Sequence, residues 1–368
     1  MMKNLLAIMV FAITLLSCKE EPKSVLSEKQ SLQKENPVLH FKQNLIKSAV
    51  DSIFKKYDLN ANVGIFQDNQ VLYTRNNGFK EFKNKTPLND STVFAIASIS
   101  KQFTSVMIMK LEEDQKLKST DSVFHYIPEF KNGGFKNIVI SQLMNHTSGV
   151  VDEGNGLVSK PGEKFHYSNK GYYYLGQIIE KASGKSFDNY ALDFFNSIGL
   201  KHTFTSSSYQ GHNFASAHVG TLKNNEETPG MPKRLANKNI SNPAGGILST
   251  VPDLHLWNQK LYGGEIISKT SLDKVLKQST ERNHPIFGKM GYGYGLMMGF
   301  STPKNYFHSG YIKGAPSLNI YYPETKTSVI ILSNIANESI GKNAFFKPHK
   351  EIKHFTDLIE IASEETSL

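Results

Sequence analysis

Ser98 and Lys101 stand three residues apart, so a helix would put a hydroxyl and an amine on one face. A hydroxyl can attack a carbonyl and an amine can take its proton. Further along come Tyr167-Ser168-Asn169, with a phenol and a carboxamide, and His308-Ser309-Gly310, with an imidazole and a hydroxyl. Converged on one point, these groups are the parts of an acyl transfer: a nucleophile, a base system and hydrogen-bond donors. The first pair alone decides little, because Ser-x-x-Lys also begins at Ser31, Ser52, Ser271, Ser301 and Ser339. Tyr-x-Asn is more selective, since among the sixteen tyrosines only Tyr167 starts one.

Surroundings favour Ser98. Phe94-Ala95-Ile96-Ala97 is an uncharged lead-in, and Ile99, Phe103, Val106, Met107 and Leu111 recur at helical steps behind it. An isolated serine there would read as an N-cap. Lys101 argues for more, because a lysine in the first turn opposes the helix dipole and, once desolvated, becomes a neutral amine base. Around this centre, residues 38–57 predict a helix, and Asn62–Phe66 and Val71–Arg75 predict strands about an Asp68-Asn69-Gln70 turn. The middle of the chain reads as mainly helical with long loops. Strands return at Gly293–Gly299, Lys304–His308, Leu318–Tyr322 and Thr327–Ser333, the last two joined by a turn at Pro323-Glu324-Thr325-Lys326, and residues 348–364 predict a closing helix. Strands at both ends with helices between predict an α+β protein: an antiparallel sheet flanked by terminal helices, plus a mainly helical lobe.

These motifs and their order resemble the serine β-lactamase and penicillin-binding-protein superfamily, in its class C-like branch. That branch includes D-alanyl-D-alanine carboxypeptidases, D-aminopeptidases and family VIII esterases. Four further stretches are similar to the family: Ile138 to Gly149, Pro161 to Asn169, Ala244 to Thr250 and Tyr292 to Leu296. The resemblance runs from about residue 40 to the end. It implies a two-lobed β-lactamase/transpeptidase-like fold with the active site between the lobes. It also implies Ser98 as acyl-enzyme nucleophile, with Lys101 and Tyr167 as base system and the tyrosine passing the proton to the leaving group. Asn169 would bind the acyl-side amide, and the Ser98 and Tyr311 amides would form the oxyanion hole, with Ser309 and Gly310 on the same strand. Lys101 and His308 are the expected cations beside the tyrosine. His308 departs from the lysine of most β-lactamases in this branch; histidine there occurs in carboxypeptidase and esterase relatives. A neutral imidazole that positions substrate and donates a hydrogen bond is therefore expected.

The resemblance leaves open a hydrolase for a D-amino-acid peptide, amide or ester, a class C type β-lactamase, and a non-catalytic penicillin-binding or sensor protein. His146 is expected to shape the lobe, Tyr172, Tyr173 and Tyr174 to line core and cleft, and Asp152 and Glu153 to sit in a solvated loop. No spacing of His, Cys, Asp and Glu indicates a metal, and no glycine pattern indicates a phosphate loop or cofactor.

The N-terminus predicts a location. Lys3 precedes an apolar run from Leu5 to Leu16, well short of the roughly 20 residues that span a bilayer. Leu15-Leu16-Ser17-Cys18 resembles a bacterial lipobox, with residues 1–17 as signal peptide and the chain's one cysteine as lipidation site. Residues 18–36 read as a polar tether to a domain spanning 37–368, and Lys19-Glu20-Glu21 resembles a surface-export signal. These features predict a lipid-anchored protein of the bacterial cell envelope, periplasmic or on the outer-membrane surface. Cleavage would leave 41 basic and 33 acidic residues, a net charge of +8, without the dense basic cluster that nucleic acid requires. The expected partners are a small-molecule or peptide substrate, possibly derived from the cell wall, and the membrane.

Overall fold

The apolar faces foreseen at the two ends of the chain meet in one sheet. A computed structural model describes residues 37–236 and 241–366; the lipobox, Cys18 and the polar stretch before Pro37 lie outside the described residues. Helix α1 (Pro37–Tyr57) turns Ile46, Val50, Ile53 and Phe54 inward. It leads into β1 (Ala61–Gln67) and β2 (Gln70–Asn77), whose connecting Asp68 takes a left-handed φ of 51°. Six strands come from the far end: β3 (Thr280–His284), β4 (Gly288–Tyr292), β5 (Met297–Met298), β6 (Tyr306–Ile312), β7 (Ala315–Tyr322) and β8 (Thr327–Ser333). They form one eight-stranded antiparallel sheet, ordered β3-β4-β5-β6-β7-β8-β1-β2. The two halves of the sequence join where β1 pairs with β8, Ala61 opposite Ser333. Val329, Ile330, Ile331 and Leu332 are wholly buried, so β8 is covered on both faces.

Between β2 and β3 lies the helical part: α2 (Ser100–Glu113), α3 (Ile140–Met144), α4 (Asn169–Ser183), α5 (Phe187–Ser197), α6 (Asn242–Gly245), α7 (Val251–Tyr262) and α8 (Lys269–Leu276). After β8 come α9 (Lys342–Phe345) and the closing α10 (Lys347–Thr366). Within α10, the buried Glu360 accepts from Lys42 of α1 at 3.1 Å. The apolar spacing after Ser98 predicts one buried face, yet α2 is buried almost all round. Phe103 stacks on Trp257 at 3.9 Å, while Thr104 and Ser105 are buried on hydrogen bonds to the Pro243 carbonyl and the Tyr172 hydroxyl. A helix this enclosed is a rigid base for a catalytic turn.

Two sequence expectations need correction. Residues Gly293–Gly299 do not form one strand: β4 ends at Tyr292, and Gly295 takes a φ of +75° at a turn pressed against α2. A Cβ on Gly295 would lie 2.4 Å from the Lys101 carbonyl, so the close approach requires glycine. The strand expected at Lys304–His308 begins two residues later and runs to Ile312, carrying the third motif into its middle. Pro303 explains the late start, since it cannot donate to a ladder.

Candidate active site

Ser98 sits in a single 3-10 turn, Ala97–Ile99, that runs directly into α2. No side chain caps either element, so Ser98 is not an N-cap. The preceding Ala97 has a φ of +48°, a conformation costing about 1–3 kcal/mol for a residue with a Cβ. Neighbours hold the turn in place. The Ile96 carbonyl accepts from Ser317 Oγ at 2.9 Å, and the Ile96 amide donates to the Ile247 carbonyl at 3.2 Å. Strand β6 presses on the same point: a Cβ on Gly310 would lie 2.2 Å from the Ile96 carbonyl oxygen. That absent side chain brings the Tyr311 segment beside Ser98. Pro316 stands opposite Tyr311 and has no amide hydrogen, so the two cannot exchange the usual ladder bonds.

Lys101 is fully buried, and its Nζ donates to the Ala244 carbonyl at 2.7 Å and to Asn169 Oδ1 at 2.9 Å. Its third neighbour is Ser98 Oγ at 3.1 Å. The first two partners only accept, so a neutral amine spends both hydrogens on them and aims its lone pair at Ser98. Burial pushes the Lys101 amine below its ordinary 10.5, with Tyr167 and Asp152 opposing the shift and Arg282 adding to it. Tyr167 donates its hydroxyl hydrogen to Ser98 Oγ at 2.8 Å. The Tyr167 ring lies 4.3 Å from His146, with Lys101 Nζ 4.8 Å and the Arg282 guanidinium 4.5 Å from its centroid. The structure thus brings Ser98, Lys101, Tyr167 and Asn169 together. Ser98, Tyr167 and Asn169 are half-exposed over the buried lysine.

His308 departs from expectation. It is buried on β6, where Nδ1–H donates to the Ser309 carbonyl at 2.6 Å and Nε2 accepts from the Tyr292 hydroxyl at 3.0 Å. Both nitrogens are therefore spent within the protein, and none is left to bond substrate. Burial, with Lys101 and Arg282 nearby, pushes the ring well below 6.5, so it is neutral and not the second cation beside the tyrosine. Arg282 takes that place. It lies on the edge strand β3, which no sequence signal marked.

Asp152 was also undervalued. Though exposed in its loop, it accepts from Ser168 Oγ at 3.0 Å, the Lys170 amide at 3.0 Å and Asn169 Nδ2 at 3.3 Å. Ser168 in turn caps α4 by accepting from the Gly171 amide at 2.9 Å. This carboxylate holds the whole second motif. Asp152→Ala should slow Ser98 acylation about tenfold, the effect of a lost charged hydrogen bond of roughly 1.5–3 kcal/mol partly made up by water. Rapid-mixing kinetics would check it, and an unchanged rate would remove Asp152 from the site.

His146 is structural, as expected. Its Nδ1 accepts from the Ser168 amide at 3.1 Å and its ring packs against Tyr167. Tyr172 is core, donating to the Met144 carbonyl at 2.7 Å, and Tyr174 packs edge-on against Phe130 at 4.8 Å. The Tyr311 side chain turns from the cleft, stacking on Phe345 and donating to Glu338. Only its backbone amide is in question as an oxyanion donor.

With this geometry in view, comparison with known proteins is informative. The family model described as Beta-lactamase matches residues 50–345. Penicillin-binding protein 4* of Bacillus subtilis (strain 168) is 27% identical over 350 residues, covering 84% of this chain and 76% of that protein. The octameric penicillin-binding protein homologue from Pyrococcus abyssi superposes with a TM-score of 0.69 at 25% identity, over 79% of this chain and 73% of its own. A D-amino acid amidase from Ochrobactrum anthropi SV3 superposes with a TM-score of 0.70 at 18% identity, over 85% and 97%, and shares the fold. A nucleophile-bearing turn on a buried helix, set against an antiparallel sheet edge, is the arrangement these proteins have in common with it, and the chain belongs to the beta-lactamase family.

Proposed function

We propose that this protein is a serine hydrolase that cleaves an amide, a D-amino-acid peptide or an ester through an acyl-enzyme on Ser98. One observation carries the reading: Ser98 Oγ is shared between a buried, proton-poor amine at 3.1 Å and a phenol at 2.8 Å. Ser98 Oγ attacks the carbonyl carbon while its proton passes to Lys101. The resulting oxyanion is met by the amides of Ser98 and Tyr311, each such donor typically worth about 3 kcal/mol. Tyr167 gives its proton to the leaving atom as the carbon–heteroatom bond breaks. Water then attacks the ester, loses its proton to the tyrosine and lysine pair, and frees the acid and Ser98. Asn169 keeps one amide hydrogen for the acyl half beyond its contact with Asp152.

The neutral, sealed His308 supports weak β-lactamase activity at most, since no permanent cation stands in the third motif. A pure binder would not need a desolvated amine and a phenol on one serine. Incubation with a fluorophosphonate or a fluorescent penicillin should place the label on the peptide containing Ser98, and a screen of D-amino-acid amides and esters should show turnover. Label on another residue would sink the reading. We also propose lipid attachment at Cys18, on the strength of the Leu-Leu-Ser-Cys sequence behind its apolar run. Cys18→Ser should then move the protein from the membrane to the soluble fraction, and an unmodified Cys18 thiol in mature protein would refute the anchor.

A further inference from the structure

Ser309 is held by two histidines whose tautomers can be read from their partners. The Ser309 carbonyl can only accept, so His308 Nδ1 carries a hydrogen there. His284 sits at the end of β3, and its Nδ1 accepts from two backbone amides, Ile286 at 3.1 Å and Phe287 at 3.3 Å. That nitrogen has no hydrogen, so the neutral ring carries it on Nε2, which faces Ser309 Oγ at 3.4 Å. Burial, with Arg282 and Lys342 adding to it, pushes His284 to about 3, which keeps the ring neutral at working pH. The Ser309 hydroxyl must therefore accept from His284. Its own hydrogen has no acceptor within the described residues.

The position of that hydrogen matters. On β3, Thr280, Arg282 and His284 face inward while Glu281 and Asn283 face solvent. Arg282 from this face covers Tyr167, the residue that protonates the leaving atom in the proposed reaction. It makes no ion pair among the described residues. Arg282 and Ser309 thus form one donor-rich wall beside Tyr167, against which the departing half of a substrate lies.

We propose that His284 is a positioning residue that fixes Ser309 as a hydrogen-bond donor, so that the site favours substrates with a carboxylate or carbonyl in the leaving half. The proposal rests on the hydrolase reading above. Two variants separate it from a role in turn stability. Asn at 284 can replace Nδ1 as acceptor for the Ile286 and Phe287 amides but cannot reach Ser309. Gln can supply the donor that Nε2–H provides but cannot hold the turn.

The probes are an N-acyl-D-alanyl thioglycolate, with a carboxylate in its leaving half, and the matching ethyl thioester. His284→Asn should raise the thioglycolate KM about tenfold more than the ethyl thioester KM, with little change in the kcat ratio. His284→Gln should keep the wild-type discrimination while lowering Tm. Ser309→Ala should reproduce the loss, and the double variant His284→Asn/Ser309→Ala should add nothing to it. Discrimination lost in the Gln variant but kept in the Asn variant would overturn the proposal. So would 15N NMR showing His284 as the Nδ1–H tautomer at pH 7, a reading that needs no turnover. Failure of either thioester to acylate Ser98 would count instead against the hydrolase reading, leaving the NMR tautomer to decide the role of His284.

Discussion

Ser98→Ala should abolish covalent labelling and turnover while leaving the fold intact. The residue is half-exposed at the cleft, and its side chain contributes one small hydroxyl to the packing. Removing it leaves Lys101 on the Ala244 carbonyl and Asn169, and leaves Tyr167 free to find water, so the stability change should stay within about 1 kcal/mol. Rate, by contrast, has no substitute, because Ser98 is the atom that forms the new bond. Loss of a nucleophile of this kind costs on the order of 10⁶ in kcat. Intact-mass measurement after incubation with substrate or probe gives the answer directly: no adduct in the variant, one in the wild type. The other Ser-x-x-Lys serines provide controls. Ser271 and Ser339 spend their polar groups on local bonds, to Ser268 and to Asn337, so their alanine variants should label normally. Wild-type labelling of Ser98→Ala would remove the nucleophile assignment altogether.

Much of this centre was legible because its parts are local in sequence. The Ser98 to Lys101 spacing needs only one helical turn, and the strands nearest the chain ends have clear apolar patterns, so β1, β2, β7 and β8 fall within a few residues of expectation. What was missed depends on long-range packing. Thr280-Glu-Arg-Asn-His is too polar to read as a strand, and it becomes one because it pairs with β4, Thr280 opposite Tyr292. Arg282 and His284 were therefore invisible as site residues. The partner of His308 was hidden for the same reason, since Tyr292 reaches it only through a fold that runs β4, β5 and β6 side by side. Asp152 shares no periodicity with the second motif it anchors across 16 to 18 residues of loop. Gly295 looked like part of a strand, and only the closeness of α2 shows why it must turn.

Lys101→Met should lower the acylation rate about 10³-fold, within the range expected for a positioned general base. Methionine matches the stem of lysine and fills the same buried volume. It leaves the Ala244 carbonyl and Asn169 Oδ1 without their donor, each a loss of roughly 1–3 kcal/mol, but it also removes the cost of burying the amine. Stability should therefore fall far less than rate. The pH profile separates a base from a mere spacer. Only the neutral amine can accept the Ser98 proton, so wild-type acylation should rise with pH as Lys101 deprotonates and level off above its pKa. Burial lowers that pKa below 10.5, which shifts the rise toward neutral pH. In Lys101→Met the residual rate should lose this rise, while Lys101→Arg, with a permanent charge at the same place, should be as slow and equally flat. Tyr167→Phe should differ from both. It removes the proton donor to the leaving atom, so amides should lose more rate than esters with good leaving groups, and the rise assigned to Lys101 should persist. If that rise survives in Lys101→Met, the base is another group, and the buried lysine only holds Asn169 and the Ala244 segment around the serine.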